Sequence, residues 1–228
     1  MKRLFVLIPV MFIAALIISV GLEVVFSPDF SGFTKIRLDD PNVYYLPGEG
    51  GAKNGKGGDQ VLYNWKNHPV FIVGDSLTQG AKKDIAKAVQ DATIDARVGR
   101  TMSQGLSIIE DWDSSGALPD DAIIVVCLAH NITGYTVSAA EQIVDMIRPG
   151  QSLVMMTGHG LSDMAKINEY IRSLPQDYDY VTVADWDLTV AQSPGLLGDD
   201  GIHIGKRQGN ELYANMILGA LEATQPRQ

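Results

Sequence analysis

With 228 residues, 46% of them hydrophobic and 20% charged, the chain has the size and make-up of one good-sized globular domain plus an appendage. A formal net charge of −9 argues against a nucleic-acid binder, which would carry a basic surface stripe. Cys127 is the single cysteine, so no intrachain disulfide can form, and its apolar surroundings, AIIVVCLA, suit a small buried hydrophobe better than a nucleophile.

At the N-terminus, Lys2-Arg3 precede an uncharged apolar run over residues 4–22. That run is long enough to cross a bilayer as one helix and longer than the apolar part of a typical signal peptide. The two cations favour a cytoplasmic N-terminus with the remainder outside, a single pass through the plasma membrane. SVG at 19–21 is a loose cleavage signal without a clean A-x-A pattern, so residues 1–26 are expected to remain as a membrane anchor; cleavage would make them a signal segment and the protein secreted. Losing Lys2, Arg3 and Glu23 would leave the exported domain more acidic than the whole chain by a single charge. Residues 27–67 follow as a juxtamembrane region with no clear period, and PGEGGAKNGKGG at 47–58 reads as a flexible spacer. Residues 50–56 fit the front of a phosphate-binding G-x-x-x-x-G-K loop. However, Gly57 stands where Ser or Thr would hold magnesium, and no apolar strand leads in.

The domain proper is expected over residues 68–228. Short runs rich in Val and Ile, PVFIV, IDARV, AIIVVCLA, SLVMMT and YVTVAD, alternate with segments of helical spacing. These are KKDIAKAVQDA, MSQGLSIIEDW, SAAEQIVDMI, SDMAKINEYIRSL and the closing KRQGNELYANMILGALEA. Alternation of this kind predicts a five-stranded parallel sheet with helices on both faces, a three-layer α/β/α sandwich.

In an open parallel sheet the loops after the strands' carboxyl ends share the edge where ligands bind. Four polar signals fall there: Ser76 in GDSLTQG, Gly99 in DARVGRTMSQG, Asn131 in CLAHNITG, and the pair Asp200 and His203 in GDDGIHIG. Ser76 alone could be an ordinary helix N-cap. A serine nucleophile needs a base within hydrogen-bond reach, which His203 can supply, with Asp200 holding the second ring nitrogen; Asp199 is the alternative carboxylate. The backbone N–H of Ser76, a close-approaching N–H at Gly99 and the amide of Asn131 could receive an oxyanion. Gly99 as a plain turn residue and Asn131 as a loop cap stay open. Asn131-Ile132-Thr133 also fits a glycosylation sequon. His130 reads as a structural or substrate-edge residue, and His159 in MMTGHG points to the same edge, as do Arg100 and Thr101 more weakly.

GDSLTQG, Gly99, Asn131 and Asp200…His203 resemble, in order and spacing, the four blocks of the SGNH (GDSL) hydrolase family over residues 68–224. The resemblance implies a flavodoxin-like fold. It makes Ser76 the nucleophile, His203 the base, Asp200 its orienting partner, and Ser76, Gly99 and Asn131 the oxyanion hole. It also implies esterase, lipase, deacetylase or acyltransferase chemistry with no metal or organic cofactor. DARVGRTMSQGLSIIEDW is similar to the extracytoplasmic domain of bacterial cell-wall O-acetyltransferases. The third block departs from the usual Gly-x-Asn by reading Ala129-His130-Asn131, with Ile132 where Asp often follows. The expectation is a serine esterase acting outside the membrane on an acylated glycan or other small ester, an O-acetylated cell-envelope carbohydrate foremost. The alternatives are acyl transfer to a glycan hydroxyl, with a membrane acyltransferase as partner supplying the acyl group, and a non-catalytic anchored glycan-binding module.

Overall fold

The computed structural model describes residues 63–228 and the backbone of the short strand β1, Tyr44–Tyr45. The expected anchor at 1–26, the glycine-rich stretch at 47–58 with its G-x-x-x-x-G-K match, and the remainder of 27–62 lie outside the described residues. Among the described residues no helix is long and apolar enough to cross a membrane.

The chain then runs through β2 (Val70–Gly74), α1 (Ser76–Ala88), β3 (Thr93–Ala96) and α2 (Met102–Ser114). It continues with β4 (Ile123–Cys127), α3 (Thr136–Met146), β5 (Ser152–Met156) and α4 (Ala165–Asp177). It closes with β6 (Val181–Ala184), α5 (Trp186–Ala191) and α6 (Arg207–Ala223). The sheet order is β1-β6-β5-β4-β2-β3. Strands β2 to β6 pair in parallel, as expected, and β1 adds an antiparallel edge on β6 through Tyr44↔Ala184 and Tyr45↔Val183. The sequence around Tyr44 has no alternation to betray this strand, which is held by backbone pairing over two residues.

Strands β2, β4, β5 and β6 are buried on both faces, β3 being the part-exposed edge, and their side chains divide with period two. Phe71, Val73, Ile124, Val126, Leu153 and Met155 pack toward Met102, Ile109, Ile143 and Ile171 of α2, α3 and α4. Ile72, Ile123, Val125, Val154 and Met156 pack toward Leu77, Ile85, Tyr213 and Ile217 of α1 and α6. Trp65, ahead of β2, joins this second layer, so packing extends into the segment expected to be a linker. A continuous apolar run such as IIVVC therefore serves two helical layers at once.

Between β2 and β4 the chain order along the sheet reverses, the switch point at which doubly wound sheets leave a crevice. Ser76 and Asn131 lie directly after these two strands. Helix α1 begins at Ser76, earlier than the expected KKDIAKAVQDA, because Asp75 caps it: its Oδ1 accepts the Leu77 N–H at 3.0 Å. The cap is thus Asp75, and the hydroxyl of Ser76 is left for other work.

Candidate active site

Ser76 is half-buried at the first position of α1, where the backbone N–H has no intrahelical acceptor. Its Oγ lies 3.0 Å from His203 Nε2, although the two residues are 127 apart in sequence. His203 Nδ1 in turn lies 2.7 Å from Asp200 Oδ2. Asp200 Oδ1 accepts the N–H groups of Ile202 at 3.0 Å and His203 at 2.9 Å, so one carboxylate shapes the turn and grips the ring. The hydrogen bond from His203, then those from the two amides, pulls the Asp200 carboxyl down to about 2. With Asp200 accepting at Nδ1, the ring proton resides there, and Nε2 presents its lone pair to the Ser76 hydroxyl. Asp199, the alternative, is exposed and Asp200 is the carboxylate that meets the ring.

The turn bearing this pair is tied down from both ends. Gly198 N–H donates to His203 O at 2.7 Å and Gly205 N–H to Leu196 O at 3.0 Å, while Leu197 and Ile204 form an antiparallel bridge. Leu197, Ile202 and Ile204 pack against the second apolar layer. The His203 and Asp200 side chains nevertheless stay about half exposed, at 53% and 51%.

Gly99 is exposed at φ +73°, in the left-handed region that residues with a Cβ rarely adopt, and nothing stands within 4 Å of where a Cβ would project. Asn131 is half-buried; one amide hydrogen goes to Arg100 O at 3.1 Å, which leaves the second unspent. Arg100 faces inward: its guanidinium donates to Asp95 O at 2.6 Å, Asp95 Oδ1 at 2.5 Å and Gly74 O at 3.3 Å, fixing the Gly99 loop to β2 and β3. Thr101 caps α2 through Gln104. Neither Arg100 nor Thr101 is free for a ligand in the way the sequence alone suggests.

Of the two readings of His130, the structural one describes its position, because the ring is buried with both nitrogens in hydrogen bonds, to Asp75 Oδ2 and His159 N–H at 3.2 Å each. His159 is half-buried, its Nδ1 2.8 Å from Asp187 Oδ1. Behind it, Arg172 binds Asp187 Oδ2 at 2.7 Å and both oxygens of Asp185. Burial opposes the Arg172 charge, but hydrogen bonds to Asp185 and Asp187 outweigh it and hold its pKa above the ordinary value. This acidic–basic cluster was not anticipated. The signal was available in ADWD, two aspartates at the carboxyl end of β6, but nothing in the sequence names Arg172 as their partner. The Cys127 thiol is buried, and desolvation pushes it up to about 12.

Around this edge, Val98, Tyr135 and Leu161 project from the loops after β3, β4 and β5 at 70%, 74% and 46% exposure. Beside the Gly99 loop a shallow hollow of about 230 Å³ is lined by Arg97, Arg100, Gln104, Ser107 and Ile108. Among the described residues no group of three or more His, Cys, Asp or Glu is placed to hold a metal ion.

No family model matches the chain. A solved structure of the Streptococcus pneumoniae peptidoglycan O-acetyltransferase A (OatA) C-terminal catalytic domain, with a methylsulfonyl adduct, superposes with a TM-score of 0.65. It is 23% identical and covers 71% of this chain and 98% of that one. A crystal structure of a lipolytic protein of the G-D-S-L family from Veillonella parvula DSM 2008 superposes with a TM-score of 0.51 at 13% identity, covering 67% of this chain and 97% of that one. The chain has the SGNH (GDSL) hydrolase fold. By sequence it is 26% identical over 155 residues to the Bacillus subtilis (strain 168) protein named "Putative peptidoglycan O-acetyltransferase YrhL". That match takes in 68% of this chain and spans about a quarter (24%) of the relative's length.

Proposed function

We propose that the chain is a serine ester hydrolase that removes acyl groups, acetyl foremost, from a cell-envelope glycan. One observation carries the reading: the unbroken run of hydrogen bonds from Ser76 Oγ through His203 to Asp200, at 3.0 and 2.7 Å. Nε2 takes the Ser76 proton as Oγ bonds to the ester carbonyl carbon, and Asp200 stabilises the resulting imidazolium. The oxyanion is received by the N–H groups of Ser76 and Gly99 and by the free amide hydrogen of Asn131; removing one such donor typically costs about 3–4 kcal/mol. Collapse breaks the ester C–O bond, and the sugar oxygen leaves with the proton from His203. Water then repeats the cycle: His203 takes its proton as the water oxygen bonds to the acyl carbon, the acyl–Ser76 bond breaks, Ser76 Oγ recovers the proton from His203, and the carboxylic acid departs. Val98, Tyr135 and Leu161 offer apolar contact to the acyl group or the sugar face.

Transfer is the second reading, favoured by the names of the pneumococcal and Bacillus relatives. A sugar hydroxyl replaces water in the second half-cycle, and a membrane acyltransferase partner supplies the acyl group. The apolar run at 4–22 supports placing the domain on the outer side of a plasma membrane, held by a single helix. The test is intact-mass analysis of the full chain after a fluorophosphonate, alongside acetate release from an O-acetylated glycan. One adduct on wild type, none on Ser76→Ala, and turnover lost with the adduct are expected. A well-folded wild type that takes no adduct, or a Ser76→Ala variant that keeps turnover, would refute the reading.

A further inference from the structure

We propose that His130 is a positioning residue that couples the turn carrying Ser76 to the turn carrying His203. The inference rests on the reading of those two residues as nucleophile and base. The His159 N–H can only donate, so His130 Nε2 must be the acceptor at 3.2 Å, and the ring proton sits on Nδ1 and is donated to Asp75 Oδ2. The ring is therefore neutral, with a donor on one edge and an acceptor on the other.

On the Nδ1 side the link runs directly into the nucleophile turn. Asp75 is fully buried, and its carboxyl spans Ser76 by holding the Leu77 N–H with one oxygen and His130 with the other. On the Nε2 side the link runs into the loop after β5. That stretch is tied down: Asn168 takes the Gly158 N–H at 2.9 Å and donates back to Gly158 O at 2.7 Å, while Asp187, itself held by Arg172, meets the His159 ring. Gly160, the next residue, lies against the acid–base turn. A Cβ there would come within 2.7 Å of Ile202 Cγ1 and 2.8 Å of Gly201 O. Gly201 and Ile202 are the two residues between Asp200 and His203. The position of the nucleophile is thus tied through one imidazole to the platform on which the base rests. Lysine or arginine cannot replace that ring, having no acceptor, and an apolar side chain leaves the Asp75 carboxyl buried without its partner.

Two variants cut the link at opposite ends. His130→Asn keeps a donor at reach of Asp75 and loses the acceptor for His159. His130→Gln places an amide oxygen near the Nε2 position and keeps that acceptor. His130→Leu loses both. The experiment is hydrogen exchange by mass spectrometry on the full chain, read over residues 72–80, 157–162 and 198–205, together with fluorophosphonate acylation rates and ester kinetics. For the leucine variant, exchange rises about tenfold in all three segments. Acylation and kcat fall about 100-fold, the scale expected for a misplacement near 1 Å, and KM stays within about twofold because no substrate contact is removed. Asn protects 72–80 and Gln protects 198–205, each recovering part of kcat. Should the leucine variant fail to fold, the Asn and Gln pair carries the comparison. Unchanged exchange over 198–205 in the folded leucine or asparagine variant, or acylation by either within threefold of wild type, overturns the proposal. A wild type that shows the exchange coupling but takes no adduct instead refutes the serine-hydrolase reading and leaves the coupling standing.

Discussion

Asp200→Asn is nearly isosteric and leaves the turn intact, since the amide oxygen can still accept the N–H groups of Ile202 and His203 now held at 3.0 and 2.9 Å. What changes is the second atom. An NH₂ group replaces the oxygen 2.7 Å from His203 Nδ1, and two donors would meet. The ring escapes by moving its proton to Nε2, which then faces the Ser76 hydroxyl with a donor instead of a lone pair. A buried Asp-to-Asn change at the equivalent station of a serine triad costs about 10⁴ in kcat. Here the His203–Asp200 pair is half exposed, so water can compete for the ring and the loss is set lower, at about 10²- to 10³-fold. KM should hold within about twofold, and the melting temperature should stay near wild type because the backbone bonds survive. The assay is steady-state hydrolysis of an acetyl ester alongside fluorophosphonate inactivation. Retention of more than about a tenth of kcat by Asp200→Asn, or an equal loss in Asp199→Asn, would refute the tautomer argument. The pH dependence has a definite sign. Asp200 has its pKa depressed to about 2, so its contribution is present above the ordinary carboxylate range and is lost only as pH falls through about 2. Activity lost between about pH 4 and pH 7 must come from another group.

Removing Arg172 should act on stability. Arg172→Ala leaves the carboxyl of Asp185, which is fully buried, without its bidentate partner. A loss of about 3–5 kcal/mol, read from urea or guanidinium denaturation, is expected, and a loss under about 1 kcal/mol would show the cluster to be dispensable. Cys127 should be inert in the native state. With its thiol pushed up to about 12 by burial, only about one molecule in 10⁴ is thiolate at pH 8, so a maleimide should label the unfolded chain and spare the folded one. Rapid native labelling would contradict the buried position.

The parallel sheet was legible because it depends on local pattern, and so was the grouping of Ser76, His203 and Asp200. Runs such as AIIVVCLA have a length and composition that suit strands buried on two faces, and Ser76, Gly99 and Asn131 follow β2, β3 and β4, while His203 follows β6 by way of α5. Two kinds of feature were hidden. Strand β1 consists of two residues held by backbone pairing, which no periodicity records. The Asp75–His130 pair and the Arg172 cluster join residues 55 apart and 13 or 15 apart through folded geometry alone. A titratable residue beside Asn131 looks in sequence like part of a binding edge. Burial turns it inward, and burial was not written in any local signal there. The start of α1 was misplaced for a related reason, since GDSLTQG holds a glycine and polar residues that look like a turn until Asp75 is recognised as the cap.

On the proposed mechanism, hydrolysis and transfer share every bond-making step until the acyl-enzyme forms, so the choice between them lies in what reaches its carbonyl next. His203 is 53% exposed at the side chain, and Leu197, Ile202 and Ile204 of the turn that carries it pack against the second apolar layer. Water at molar concentration therefore meets the base directly, and a glycan hydroxyl must outcompete it by being held in place. The side chains able to hold a sugar are ranged on one edge: Val98 and Tyr135 in the loops after β3 and β4, and the hollow beside Arg97 and Gln104. On that reading an acceptor held on this edge competes with water for the acyl-enzyme, so its occupancy, rather than any change in Ser76, His203 or Asp200, sets the balance. With no acceptor held there, the proposed cycle ends in hydrolysis.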